Sequence, residues 1–582
     1  MTSTSSTGTI AGQVNQTSSG QTYITGTVSG LDTESLIQSA VAAKTAQATA
    51  LTTQVSTNTS KITAYQTIQT YMGKVESALL ALNSATNSTG LNVSGTTGTP
   101  GSAFNSKSVS YTTSDGSSAT SLLTVTADGT AAAGSHKIIV QQVAQDEQVV
   151  SDAQTSNTTA LGYNGSFSIG LANGGSSTIN VTSGMSLKDV ENAINATTAT
   201  SGVSADILQS STGYQLVISG NTTDENLSVS NVSGDDVLQG LGVTTDSSGD
   251  FKTITQAAQG AQISLDGATV TSSTNEFDNV LTGISIDVAN AAPSTTITAT
   301  LSNDTSDVET AINNVITAYN TLRDYLAAEQ SVGSDGTIDS SQYLYNDSIV
   351  NNSAAQLSNI LTGLFTTGSG TINSLASLGI TLDSNNHLAI SNQTMLDNAL
   401  NNNYSAVSAL FQTQFTTSDA NLTVTNNSSN LNISGLSLAI TTDGSGNITG
   451  VTANGEADDF TINGTQLVGK SGTAYAGLTL NYTGSGSTTA TVSMTQGLAD
   501  KLTNLLDSYS NSNTGIIANQ ITSVQNVDTQ LNSQAAQIQS DASNYEQTLI
   551  QKYAQMETAI STADTVKSQI EAILNSTSNS GN

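Results

Sequence analysis

Ile517, Ile521, Val524, Leu531, Ala535, Ile538, Ala542, Tyr545, Leu549, Met556, Ala559, Ala563, Val566, Ile570 and Ile573 mark out one continuous apolar stripe near the end of the chain. The steps between seam positions alternate between four and three residues, and only Asp528 and Lys552 interrupt them. A repeat of about 3.5 residues, held this long, predicts a helix whose apolar side stays on one face and needs another helix to cover it. At a rise of 1.5 Å per residue the rod would be roughly 85 Å long, well beyond an ordinary globular helix. Nothing inside the segment can bury its own stripe.

A second long stripe lies near the start, through Val41, Ala48, Leu51, Val55, Ile62 and Tyr65. It then shifts phase by a three-residue step and continues through Ile68, Met72, Val75, Leu79 and Leu82, a stammer that locally overwinds a coiled coil. Before it, Gly30 punctuates the chain, Asp32 is placed to cap the helix, and Glu34 complements the positive end of its dipole. Two one-striped helices at opposite ends of one chain can cover each other, which brings the termini together and leaves the middle as a long excursion. Residues 1–21, rich in Ser, Thr, Gly and Gln, read as disordered.

Composition narrows the class. The chain has 582 residues, 10% charged and 4% aromatic, with a formal net charge of −32. That length suits about three to five domains, and the Ser/Thr/Asn/Gly-rich balance resembles a long-lived extracellular β-rich protein. Arg323 is the only arginine, so neither phosphate neutralisation on a nucleic acid nor attraction to anionic lipid is expected. The absence of cysteine excludes disulfides, thiolate metal sites and Cys nucleophiles. No signal-peptide pattern opens the sequence and no apolar run reaches membrane-spanning length, so no membrane insertion is expected.

The middle is β-rich. Alternation in Leu122–Ala127 and Lys137–Val143, around Ala132-Ala133-Gly134, predicts a strand pair joined by a turn. Strand-like Phe167–Ile169, Thr178–Val181 and Gln215–Ile218 surround a short helix over Ser186–Ala196 with a capping serine. A further β-rich stretch runs from Ala261 to Leu301, followed by helical patterns in Val308–Ala328, Ser353–Phe365 and Met395–Phe411. Strand alternation returns in Ala420–Ser493, then Gly497–Tyr509 reads as helix and Asn511–Gly515 breaks it before the heptads. The fold class is therefore α+β multidomain: long terminal helices forming a coiled-coil leg, and central antiparallel β-rich domains.

Taken in order, these pieces resemble the flagellar hook-associated protein 2 family. The motifs are Gly26 and Ser29-Gly30-Leu31-Asp32-Thr33, then Ala103-Phe104, Ala132-Ala133-Gly134 and Ile138–Ala144. Gly165–Ser219, with Ala193-Ile194-Asn195-Ala196 and Gly202-Val203-Ser204-Ala205, resembles a repeat also found in flagellins. Ala318-Tyr319-Asn320-Thr321-Leu322, Asn346-Asp347-Ser348, Leu378-Gly379-Ile380-Thr381, Leu410-Phe411, Gln496–Asp500 and Tyr553–Met556 follow in the family's order. The stretch between Phe411 and Gln496 departs from compact family members, which move almost directly to the final helices.

The resemblance implies a structural cap at the distal end of the bacterial flagellar filament that promotes insertion and folding of exported flagellin. It implies a secreted homo-oligomer, a ring of about five or six subunits, served by the flagellar type III export machinery and a chaperone. No enzyme activity, cofactor or metal is expected. The domains expected are 1–45, a flexible segment and outer helix; 46–150, leg helix and β part of the leg; 151–300, the plate with the flagellin-like repeat; 301–416, the return to the leg; 417–495, the insert; 496–544, leg helices; and 545–582, the outer C-terminal helix. The residues expected to serve oligomerisation or filament docking are Gly26, Ser29, Gly30, Leu31, Asp32, Leu36, Val41, Leu531, Ile538, Tyr545, Leu549, Met556 and Ile560.

Plainer readings stand beside these. The heptads can form an intramolecular coiled coil with no partner role, and Ser29–Thr33 can be a helix start alone. His136 and His387 lack ligand spacing, and the adjacent carboxylates Asp235-Asp236 and Asp458-Asp459 would point to opposite faces of a strand. Gly444-Ser445-Gly446 lacks a following P-loop lysine and reads as a hairpin turn. A flagellin or hook–filament junction protein, and a flagellar-tip adhesin, are the alternative functions.

Overall fold

The two long stripes are two long helices, Thr33–Leu79 and Ile516–Asn579. The computed structural model describes residues 13–16, 22–25, 28–83, 102–366, 370–427, 431, 433 and 435–579. Both helices are rich in Thr and Ser, which elsewhere draw the backbone into turns. Here the hydroxyls bond back within the helix: Thr45 Oγ1 donates to the Val41 carbonyl, Thr49 to Thr45, Thr53 to Thr49 and Thr57 to Thr53. Asp32 caps the first helix by accepting from the Ser35 amide at 3.1 Å. The break before the second is an Asn511 turn, whose Oδ1 accepts from the Asn513 and Thr514 amides at 3.0 and 3.1 Å.

The chain divides into two compact units, residues 1–91 with 311–582, and residues 92–310. The domain edge expected at residue 150 lies inside the second unit, close to where the chain passes from one of its cores, with Ala144, to the other, with Val149.

The second unit holds two cores. In one, a five-stranded antiparallel sheet runs in the order 268–272, 261–265, 134–142, 297–303, 107–113. It shares its core, including Ile138, Val140, Ile263 and Ala299, with a three-stranded sheet ordered 276–281, 284–288, 123–127. The expected strand pair 122–127/137–143 is therefore not a hairpin: its two strands lie in different sheets. Alternation fixed which face of each strand is apolar, but the neighbour of Leu123–Ala127 is Ile284–Val288. In the other core, sheets ordered 254–256, 148–150, 213–220, 203–210 and 227–234, 165–171, 176–181 meet the helix Leu187–Asn195. Its capping box is present as expected, with the Ser186 and Asp189 side chains answering each other's backbone amides.

The helix Thr305–Glu329, counted in the first unit from Ala311 on, carries Tyr319, Asn320 and Arg323, which bond the carbonyls of Asn386, Leu388 and Asn385. The only arginine thus pins the turn of the hairpin 380–382/388–390. The helical stretch expected over Met395–Phe411 is two helices, Gln393–Asn402 and Tyr404–Phe411, separated at Asn403.

The insert forms two four-stranded sheets around one core, ordered 414–417, 488–495, 436–442, 448–453 and 422–426, 479–482, 466–469, 460–463. Its first strand begins at Gln414, which sits opposite Thr495, so the two ends meet. Asp500, 1% exposed, accepts from the Thr413 amide at 3.0 Å and from its hydroxyl; burial pushes this carboxyl up. The Gly444–Gly446 turn is built by Asp443, whose Oδ1 accepts from the Ser445 and Asn447 amides at 2.9 Å each.

Candidate functional site

The stripes meet as an antiparallel pair. Asn58 Nδ2 donates to Asp528 Oδ1 at 2.6 Å, and the Lys44 ammonium sits 4.6 Å from the Tyr545 ring centroid. One member of each contact rises in number as the other falls. Ile37, Ala48, Tyr65, Ile68, Met72, Val75 and Leu79 are buried on the first helix, and Ile517, Ala535 and Ala542 on the second. Asp528, which interrupts the heptads, is one half of a polar layer with Asn58. Such a pair inside an apolar seam fixes register at some cost in stability. Tyr65 donates to Asp347 at 2.6 Å, and burial pushes its phenol up.

At the N-terminal end the helix start does more than start a helix. Gly30 has φ +68°, a left-handed turn that places Ser29 against the C-terminal helix. There Glu557 Oε2 accepts from the amides of Val28 at 3.0 Å and Ser29 at 3.2 Å, while Oε1 accepts from the Ser29 hydroxyl. The Ser29 hydroxyl, with the two amides, holds the Glu557 carboxyl below the usual range. Glu557 escaped the sequence reading because it lies beside the seam position Met556, and its donors are distant backbone groups.

Of the residues expected to dock, Val41, Leu531, Ile538, Tyr545, Leu549, Met556 and Ile560 are half-buried, while Leu31, Asp32 and Leu36 are exposed. Ser29 is half-buried at the Glu557 contact, and Gly26 lies outside the described residues. Gln13–Gln16, expected to be disordered, form a strand paired with Thr22–Thr25; the rest of 1–21 lies outside the described residues.

Beyond Ile560 the picture reverses. Every residue from Ser561 to Thr577 is exposed. Val566, Ile570 and Ile573 are 47, 52 and 64% exposed on the same heptad stripe, and Leu574 beside it is 62% exposed. Among the described residues, no group of three or more His, Asp or Glu could hold a metal ion, and no helix is long and apolar enough to cross a membrane. His136 bonds Asp266, and His387 bonds Asp324, each at 2.8 Å. Asp235 and Asp236 accept from the Asn164 and Gln239 amides, and Asp458 pairs with Lys470. These carboxylates hold turns and helix starts.

The sequence matches known family profiles over most of its length. The profile of the flagellar hook-associated protein 2 C-terminus matches residues 258–565, and that of its N-terminus matches 29–147. The chain belongs to the flagellar hook-associated protein 2 family. The flagellin hook IN motif matches residues 166–222, around the Leu187–Asn195 helix. Flagellar hook-associated protein 2 of Escherichia coli K12 is 28% identical over 420 residues, covering 66% of this chain and 79% of that relative. The crystal structure of the D1-D2-D3 domains of the E. coli flagellar cap protein FliD aligns with 25% identity and a TM-score of 0.45. That alignment covers 60% of this chain and 90% of that one. FliD (HAP2) of Pseudomonas aeruginosa PAO1 aligns at 24% identity and a TM-score of 0.31, over 37% of this chain and 98% of that one. The hook-associated protein 2 C-terminal profile spans the whole insert, so the extra sheets sit inside the family's C-terminal region.

Proposed function

We propose that this chain caps the flagellar filament by laying the open end of its C-terminal helix among the helices of assembled flagellin, as one subunit in a ring of its own copies. The cap role, the position at the distal tip and the association with flagellin follow from membership of the family. A ring of about five or six copies accords with closed cyclic symmetry. Delivery through the flagellar type III apparatus with a chaperone belongs to the same proposal, as does action by shape and conformational change, with no covalent step.

The observation that carries the docking reading is the open stripe. Ile570 and Ile573 continue the seam that the N-terminal helix covers elsewhere, yet they face solvent. An apolar heptad face in water is a site for another helix. Ile570→Asp with Ile573→Asp tests it. The double variant should fold and be secreted normally, while flagellin accumulates as monomer in the medium and filaments are short or absent. Normal filaments with the variant at parental levels would overturn the reading.

A further inference from the structure

The open stripe begins just past a buried carboxylate. Glu557 is 9% exposed although it stands on a helix with few buried side chains in its last third. A carboxylate brought out of water is costly unless hydrogen bonds replace its hydration. Here the Val28 and Ser29 amides and the Ser29 hydroxyl supply them. Two successive amides ahead of a left-handed glycine form a small anion-binding concavity. A side chain at position 30 would have open space but the strained φ of +68°, so the turn, and not packing, explains the glycine.

Behind this contact lies the strand pair Gln13–Gln16/Thr22–Thr25, and its second strand packs on the C-terminal helix. The arm before Gly30 is thus joined to the leg at Glu557, beside the last half-buried seam residue, Met556.

We propose that Glu557 is the positioning residue that fastens the N-terminal arm to the C-terminal helix, and so sets where the covered seam stops and the docking stripe starts. The functional half of this inference rests on the docking reading above; the fastening itself does not. Its donors are neutral N–H and O–H groups, so a neutral acceptor can do part of the work. Glutamine keeps one carbonyl oxygen of the same reach but turns the other acceptor into a donor, and alanine removes both.

The experiment uses the full chain carrying Glu557→Ala, Glu557→Gln or Ser29→Ala, with Ile570→Asp/Ile573→Asp beside them. Single-amide hydrogen exchange reports on Val28 and Ser29, thermal unfolding on the folded cores, and flagellin released as monomer on capping. Glu557→Ala should speed exchange at both amides by about tenfold, the loss of one modest hydrogen bond each. Its unfolding midpoint should stay parental and flagellin should leak. Glu557→Gln should fall between parent and alanine in both exchange and leakage, whereas a packing role alone would leave glutamine, which fills the same volume, equal to the parent. The Ile570/Ile573 variant should leak flagellin with both amides still protected. Unchanged exchange in Glu557→Ala would overturn the fastening, and fast exchange with normal capping would overturn its role in docking. Normal filaments in the Ile570/Ile573 variant would sink the docking reading while leaving the exchange result to decide the fastening.

Discussion

Two parts of one helix carry the same repeat and meet opposite fates. From Ile517 to Met556 the stripe of the C-terminal helix lies against the N-terminal helix, with Ala542 1% exposed. From Ala559 to Ile573 it continues in phase, yet Ile573 is 64% exposed. The difference is one of reach. The N-terminal helix begins at Thr33, and in an antiparallel pair its start falls beside the turns just before Glu557. A heptad repeat states that a face needs covering. It says nothing about which chain covers it, or whether the cover is there before assembly.

The largest break in this comparison comes from the covered side. Ile68→Asp puts a charge at a position 1% exposed and should cost several kcal/mol. Chemical denaturation should show a large drop in midpoint and the loss of protection along both terminal helices. A loss under about 1 kcal/mol would mean the pair contributes little to the fold of its unit.

The middle case sharpens the register. Asp528→Ala leaves Asn58 Nδ2 without its 2.6 Å partner in a half-buried layer, at a cost of about 1 kcal/mol. Replacing both by leucine should recover that stability or exceed it while loosening the register. Denaturation of the single and double variants checks the first part. Hydrogen exchange along residues 41–65 checks the second, and should rise in the double variant despite its stability. A double variant less stable than Asp528→Ala would show that the polar pair does more than set register.

The smallest effect belongs to the open side. Ile570→Asp alone should leave the unfolding free energy within about 0.5 kcal/mol of the parent, because Ile570 is 52% exposed. A loss comparable to that of Ile68→Asp would show the stripe covered before assembly, and the contrast between the two ends would disappear.

What could be read without the structure follows the range of each signal. Periodicity is local in sequence, so both long helices, the break at Asn511–Gly515 and the capping box at Ser186 were legible from spacing and residue type. The turn at Asp443–Asn447 was legible for the same reason, since Gly and Asx residues there make bonds to their own neighbours. Strand partners were not. Leu123–Ala127 shows which side is apolar, but its pairing with Ile284–Val288 joins residues far apart in sequence, and many alternating segments would fit that place. The docking candidates were half legible: the seam residues lie on the stripe as expected, while Glu557 and its hold on Ser29 left no spacing to find.

The sequence by itself determined that this chain has two long one-striped helices enclosing β-rich units, with no thiol chemistry and little positive charge to attract phosphate. These follow from composition and from side-chain period, which the backbone geometry of helix and strand imposes on any chain. Only the tertiary structure decided that the helices run antiparallel with Asn58 beside Asp528, and that a carboxylate outside the seam holds the N-terminal arm. It alone showed that the cover stops before the repeat does. Those depend on where chain ends come to lie in space, through contacts between groups more than 460 residues apart, the Asn58–Asp528 bond spanning 470 and the Val28–Glu557 bond 529.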